Sequence, residues 1–424
     1  MSAPGDQIQR PRQPKILLIA IGALAAQANA RQSPTLPAVR CDKPPALDGN
    51  LNDPAWKTAP VAAPFIDPYT GEPPPDQTEV RIVYDDQAVY VAFLCHDSQP
   101  NKIVGREITP DAQFNGEDTV TFDIDPFHTR HGDSISSFTV NAINTRAELL
   151  AGGRAAKVEW RGLWESVTRR IADGWICEMK IPWRILNYPD SATPVDMDVN
   201  FDRHQARTFI NSQWANETPQ EQPEMVGTWT GVQPPKADQR KRVQFLAYDA
   251  PQYGYGTFSN RAGIDARYAF TPQFTGLASL SPDFRNIEQE IAGINFVHTE
   301  RFIDDARPFF TEGNEFFNPV GQYNFGQPFY SQRITNFDLG TKVFGELGDK
   351  TLLGAFATEQ SNGPTAAMLD VHRTLTPTSG ADFYMTSYDD TGLHDRLFGT
   401  DASVRAPSGL FTGTHLALED TGHS

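Results

Sequence analysis

Short runs of alternating apolar and polar residues, broken by turn formers, occupy most of the chain. Residues 79–84 alternate and stop at Asp85-Asp86, residues 88–94 are almost continuously apolar, and residues 119–124 alternate into the turn-forming Asp125-Pro126. Residues 136–143, 175–181 and 196–201 repeat the pattern. Strands of this length and spacing predict an antiparallel β-sandwich rather than βαβ units. Helical periodicity is weak, and a single turn is expected after the break at Ile181-Pro182-Trp183.

Beyond Val232 the texture changes. Residues 242–248, 262–270, 274–280, 291–298, 336–347, 351–358, 383–388, 397–405 and 410–419 are strand-length segments. Several alternate an apolar residue with a small or polar one, as in Gly263-Ile264-Asp265-Ala266-Arg267-Tyr268. Such strands suit a transmembrane-type barrel, and a soluble barrel or sandwich reads equally well. The predicted class is all-β: an N-terminal jelly-roll-like β-sandwich at 39–232 and a C-terminal antiparallel β-meander or partial β-barrel at 233–424.

Length and charge narrow the function. At roughly 150 residues per domain, 424 residues make two or three domains. With 36 basic and 53 acidic side chains the net charge is −17, which argues against a nucleic-acid partner. Neither G-x-G-x-x-G nor G-x-x-x-x-G-K-[ST] occurs, so nucleotide binding is not expected. Arg10, Arg12 and Lys15, then apolar residues 16–26, then Ala28-Asn29-Ala30 have the order of a secretory signal peptide. Cleavage after Ala30 would leave a linker at 31–38 and place the protein in the periplasm or outer membrane. Cys41, Cys95 and Cys177 are too few for a disulfide scaffold; one bridge is open to them, and Cys177 shares the apolar side of its strand with Trp175 and Met179.

Residues 47–56, Leu-Asp-Gly-Asn-Leu-Asn-Asp-Pro-Ala-Trp, resemble the opening signature of family 9 carbohydrate-binding modules. Val89-Tyr90-Val91-Ala92-Phe93, Asp123-Ile124-Asp125-Pro126-Phe127 and the stretch from Gly174 to Trp183 fit the same domain type. Further on, Ser281-Pro282-Asp283-Phe284-Arg285-Asn286-Ile287-Glu288, Ala306-Arg307-Pro308-Phe309-Phe310-Thr311-Glu312-Gly313 and Tyr330-Ser331-Gln332-Arg333-Ile334 follow in order. That string resembles an uncharacterised bacterial domain that follows family 9 modules in exported proteins and is thought to form an outer-membrane-like barrel. Together the two resemblances cover about residues 39–420 and imply a polysaccharide or oligosaccharide partner at the cell envelope, in polysaccharide binding and catabolism. They also imply two alternatives: a glycoside hydrolase carrying such a module, and an outer-membrane channel or assembly component. Barrels of this kind are longer, so the C-terminal part is expected to be incomplete.

Sugar sites use aromatic faces with a few amides and carboxylates that fix the hydroxyls. All seven Trp residues fall between Trp56 and Trp229. Trp56 and Trp175 read as core, whereas Trp160, Trp164 and Trp214 lie among Gly, Arg, Glu and Asn and are the candidate stacking residues. Asp123 and Asp125 share one face of their strand, as do Asp196, Asp198, Asn200 and Asp202 on theirs. These sets are open to three uses: a solvated outer face, a Ca²⁺ site with Asp123, Asp125, Asp196 and Asp198 as ligands, or the acid pair of a glycosidase. No H-E-x-x-H or G-x-S-x-G is present, and no catalytic residue is assigned. Arg307, Glu312 and Arg333 with Phe309 and Phe310 are expected to pin a turn between strands.

Overall fold

The protein is described by a computed structural model. It describes residues 33–130, 135–151, 163–215, 218–219, 225–236, 243–254, 257–271, 273–282, 307–317, 329–348, 350–376, 378–405 and 411–423. The expected signal peptide, Trp160 and the strand expected at 291–298 lie outside these residues.

The N-terminal part is a sandwich of two sheets. One holds five strands in the order β2 (Val61–Ala62), β3 (Thr78–Tyr84), β4 (Ala88–His96), β9 (Gly174–Pro182) and β8 (Glu165–Ile171). The other runs β1 (Thr35–Pro37), β12 (Gly227–Val232), β10 (Val195–Gln205), β5 (Thr119–Asp125), β6 (Ser136–Asn141) and β7 (Arg146–Leu149), with β11 (Ile210–Gln213) also paired to β10. Alternation places Val120, Phe122 and Ile124 opposite Val91, Phe93, Trp175 and Met179 in one core between the sheets. The single turn expected after Pro182 is a 3-10 helix at Trp183–Ile185. All three cysteines are buried and free.

The signature segment explains itself through one carboxylate. Helix α1 (Pro54–Thr58) lies over the outer face of the five-stranded sheet, where Trp56 packs with Tyr90, Ala92 and Val83 in a second cluster. Beneath it, the fully buried Glu178 of β9 accepts hydrogen bonds from Asp48 N (3.0 Å), Gly49 N (2.7 Å) and Trp56 Nε1 (2.9 Å). Gly49 has φ +76°, and a Cβ there would sit 2.6 Å from Arg169 Cβ, so the turn requires glycine. The part of that outer face around Tyr90, Ala92 and Glu178 is therefore covered, while Glu165 and Lys180 beside it reach solvent.

The C-terminal part is one antiparallel meander of nine strands. These are β13 (Val243–Gly254), β14 (Thr257–Ala269), β15 (Phe274–Leu280), β16 (Leu339–Glu346), β17 (Thr351–Glu359), β18 (Thr365–Thr376), β19 (Ser379–Asp390), β20 (Leu393–Arg405) and β21 (Phe411–His423). Its inner face over β15–β18 is filled by the segment joining β15 to β16. From that segment Phe309, Phe310, Phe316, Phe317 and Phe337 pack on Leu277, Phe344 and Phe356. Buried Arg307 donates to the carbonyls of Ser331 (2.9 Å) and Ile334, while Glu312 pairs with Arg267 of β14 at 3.2 Å. The motif pins a turn, as expected, but the recorded cation at Glu312 is the distant Arg267.

Candidate functional site

The outer face of the seven-stranded sheet carries no covering helix among the described residues and gathers the sandwich's polar side chains. Strand pairing brings the two predicted carboxylate sets together: Asp198 lies opposite Asp125, Asn200 opposite Asp123, and Asp202 opposite Thr121. On β6, Ser137 continues the Asp123 row and Thr139 the Thr121 row. Gln213 of β11 extends the latter row at its other end. The half-buried side chains of Thr121, Asp123, Ser137, Thr139, Asp202 and Gln213 thus form a patch of hydroxyls, carboxylates and an amide. Thr121 Oγ1 and Thr139 Oγ1 lie 2.9 Å apart.

At one end of this face the chain folds back over the carboxylates. Asp125 and Asp198 are each only 1% exposed. Asp125 accepts from Phe127 N (2.9 Å), Thr129 N (2.8 Å) and Thr129 Oγ1 (2.6 Å). Asp198 Oδ1 lies 2.6 Å from His128 Nδ1, and Asp198 Oδ2 accepts from Arg130 N at 3.2 Å. His128 and Arg130 both occupy the left-handed region, with φ 55° and 59°. Such strain in non-glycine residues persists only where surrounding contacts fix it. Burial, opposed by these hydrogen bonds, pushes the Asp125 carboxyl up to about 6. The hydrogen bond to Asp198 raises the His128 imidazole above its ordinary value.

This arrangement corrects the calcium expectation. Asp125 and Asp198 direct their oxygens to the 126–130 loop, and Asp196 sits at a β-bulge between Val195 and Met197, exposed and bonded to Gly231 N at 2.9 Å. Asp123 remains on the patch, but among the described residues no three His, Cys, Asp or Glu side chains are placed to hold a metal ion. The ligand set does not fit Ca²⁺, which takes six to eight oxygens.

The expectation for Trp164 and Trp214 is corrected as well, Trp160 lying outside the described residues. Trp164 is 5% exposed, stands edge-on to Phe138 at 5.2 Å, and donates its indole N–H to Glu148. Trp214 is 7% exposed, lies 5.6 Å from the Phe201 ring, and presses on Gly227, where a Cβ would meet its ring at 2.2 Å. Both rings fill the core beside short edge strands and offer no face to a ligand. Trp56 and Trp175 are core as expected.

Exposed aromatics stand elsewhere. Phe209, 78% exposed and with φ 56°, is the tip of the β10–β11 hairpin. Tyr69, 73% exposed, rides on the loop that enters through the Ile66–Gln213 bridge. Both residues therefore lie close to β11, the edge strand that borders the polar face. Behind the hairpin, Arg207 donates to Asp76 (2.7 Å) and Asp97 (3.1 Å), and Gln205 donates to the same two carboxylates, which ties the hairpin to the segments carrying Asp76 and Asp97. Sequence reading missed Phe209; its only signal is a large aromatic inside the polar turn Ala206-Arg207-Thr208-Phe209.

Comparisons with known proteins bear on both halves. Residues 47–230 match the family model "Carbohydrate family 9 binding domain-like", and residues 245–350 match "Domain of unknown function (DUF5916)". A family 9 carbohydrate-binding module of Caldicellulosiruptor kristjanssonii was solved in complex with cellotriose and with glucose. Both structures are similar at 16% identity and TM-score 0.35, covering 49% of this chain and 96% and 99% of the module chains. A protein from Bacteroides uniformis ATCC 8492 is similar at 15% identity and TM-score 0.37, covering 47% of this chain and 98% of its own. No curated protein matches the chain. The expected family 9-like domain is thus present, followed by the domain of unknown function.

Proposed function

We propose that residues 39–232 bind a polysaccharide or oligosaccharide on the outer face of the seven-stranded sheet, and that the protein is an exported, non-catalytic binder of the bacterial envelope that serves polysaccharide catabolism. The observation that carries this reading is the polar patch of Thr121, Asp123, Ser137, Thr139, Asp202 and Gln213, with exposed Phe209 and Tyr69 near its β11 edge, in a domain matching the family 9-like model. Stacking on a ring face combined with hydroxyl-directed hydrogen bonds is the chemistry a pyranose requires. The facing carboxylates Asp125 and Asp198 are buried and clamped by the loop, which favours binding over glycoside hydrolysis. Calorimetric titration of the full chain with xylan, cellulose and mannan oligosaccharides tests this. Saturable binding that weakens in Phe209→Ala or Tyr69→Ala supports it, and release of reducing ends would favour the hydrolase alternative instead.

A second reading concerns the nine-stranded sheet, whose outer face exposes apolar side chains while its inner face buries charged ones beside the phenylalanine cluster. Phe245, Phe258, Leu280, Phe383, Phe398 and Leu418 point outward and are exposed, whereas Asp265, Lys342, Asp370, Asp382 and Asp401 are buried on the other face. Strands of 12 and 13 residues with apolar side chains on the outer face and charged ones on the inner face suit insertion in a bilayer. No described helix is long and apolar enough to cross a membrane. We read this sheet as the anchor of the binding domain in the outer membrane. Co-fractionation with outer membranes and heat-modifiable gel mobility would support it, and a chain that remains in the soluble fraction would count against it.

A further inference from the structure

The polar side chains of the open face fall in a line that crosses the strands. Register sets Thr139 of β6 opposite Thr121 of β5, Thr121 opposite Asp202 of β10, and Asp202 opposite Gln213 of β11. The line continues at both ends, to Ala147 of β7 beside Thr139 and to Ile66 through its bridge with Gln213. Side chains directly opposite one another in a sheet share a face. All six residues are half-buried, so solvent reaches the line from end to end. At a strand spacing of about 4.8 Å it is about 24 Å long.

Its flanks are bounded and its ends are not. To one side the 126–130 loop covers the facing Asp125 and Asp198, and Ala215 N donates to the buried Asn200 in the row between. To the other side Asn141 is fully buried and donates its Nδ2 to the carbonyl of Glu107 (2.9 Å). At one end the line leaves the sheet over the methyl group of Ala147. At the other it reaches the β11 edge, near which Tyr69 and Phe209 are exposed.

We propose that this line takes an internal run of an extended glycan, lying across the strands, and not the end of a chain. The proposal rests on the saccharide reading of the same face. A recogniser of chain ends closes around one ring, whereas this line is several sugar rings long and carries polar groups at every central strand. Thr139, Thr121, Asp202 and Gln213 meet the hydroxyls of successive sugars, for which hydroxyl, carboxylate and amide groups are suitable partners.

Calorimetric titration of the full chain with xylohexaose, cellohexaose and mannohexaose, each before and after borohydride reduction of its terminal sugar, tests this. A hexaose that binds should do so about tenfold tighter than its disaccharide, and within about twofold of its reduced form, because an internal run contains no reducing end. Thr139→Val keeps a β-branched side chain on its strand and removes one hydroxyl; it should weaken hexaose binding about fivefold. Loss of binding on reduction, or a monosaccharide that binds as tightly as the hexaose, would overturn the proposal and leave the saccharide reading standing. Parent-like hexaose affinity in a folded Thr139→Val chain would also overturn it. Absence of binding to every hexaose would remove the saccharide reading and the proposal together.

Discussion

The buried Asp125 gives the most quantitative consequence of the site geometry. Its carboxyl is raised from 3.8 to about 6, with burial as the main cause and the facing Asp198 adding to it. A carboxyl held high in the folded state contributes stability that is fully present below the unfolded value and is lost as pH rises through the folded value. A difference of about 2 pH units at 1.36 kcal/mol each is about 3 kcal/mol, lost between about pH 4 and pH 6. Because every Trp lies in residues 56–229, Trp fluorescence during urea unfolding reports on this domain alone. The full chain should therefore show a free energy of unfolding that falls with pH across this window. Asp118 and Glu178 are also raised by burial and slope the same way, so the quantity to read is the difference between parent and Asp125→Asn. The variant should lose about 2–3 kcal/mol of the pH 4 to pH 7 change. An unchanged slope in Asp125→Asn would refute the buried, loop-clamped placement of this side chain.

Other substitutions separate site from scaffold. His128→Gln removes the imidazole beside Asp198; its raised value means stabilisation lost as pH rises above 6.5, so its unfolding midpoint should drop more at pH 6 than at pH 8. Glu178→Ala leaves Asp48 N, Gly49 N and Trp56 Nε1 without their acceptor and should cost about 3–5 kcal/mol in denaturant unfolding. Trp214→Ala opens a core cavity beside Phe201 and Gly227 and should cost about 3–5 kcal/mol by the same assay. Phe209→Ala should leave stability within about 0.5 kcal/mol and weaken saccharide binding about tenfold by calorimetry, the loss expected for one stacked ring.

How much of this was legible depends on whether the determinant is local. Period-two alternation marked β3, β4, β5, β6, β9 and β10 because each buries one face against the same core. It passed over β7, β8, β11 and β18: three are edge or near-edge strands with mixed faces, and β18 buries Asp370 as readily as Met368. Asp123 and Asp125 were visible as a set, as were Asp198 and Asn200, but that β5 pairs with β10 is a contact across some 70 residues that no local pattern encodes. The bulge that turns Asp196 out of its row is equally silent in sequence. Trp164 and Trp214 misled because polar neighbours at a strand end look like a loop, while the indole itself turns inward. In the C-terminal sheet alternation showed two unlike faces. Which one is covered is decided by the Phe-rich segment between β15 and β16, packed on the side of Leu277 and Phe356.

The central claim is that the open face of the seven-stranded sheet takes a saccharide. Titrating the full chain calorimetrically with xylan, cellulose and mannan oligosaccharides, beside Phe209→Ala and Trp214→Ala, addresses it most directly. Saturable binding to the parent, weakened in Phe209→Ala at unchanged unfolding midpoint, is the predicted result. No heat with any glycan at millimolar concentration, from a chain whose Trp fluorescence shows it folded, would contradict it.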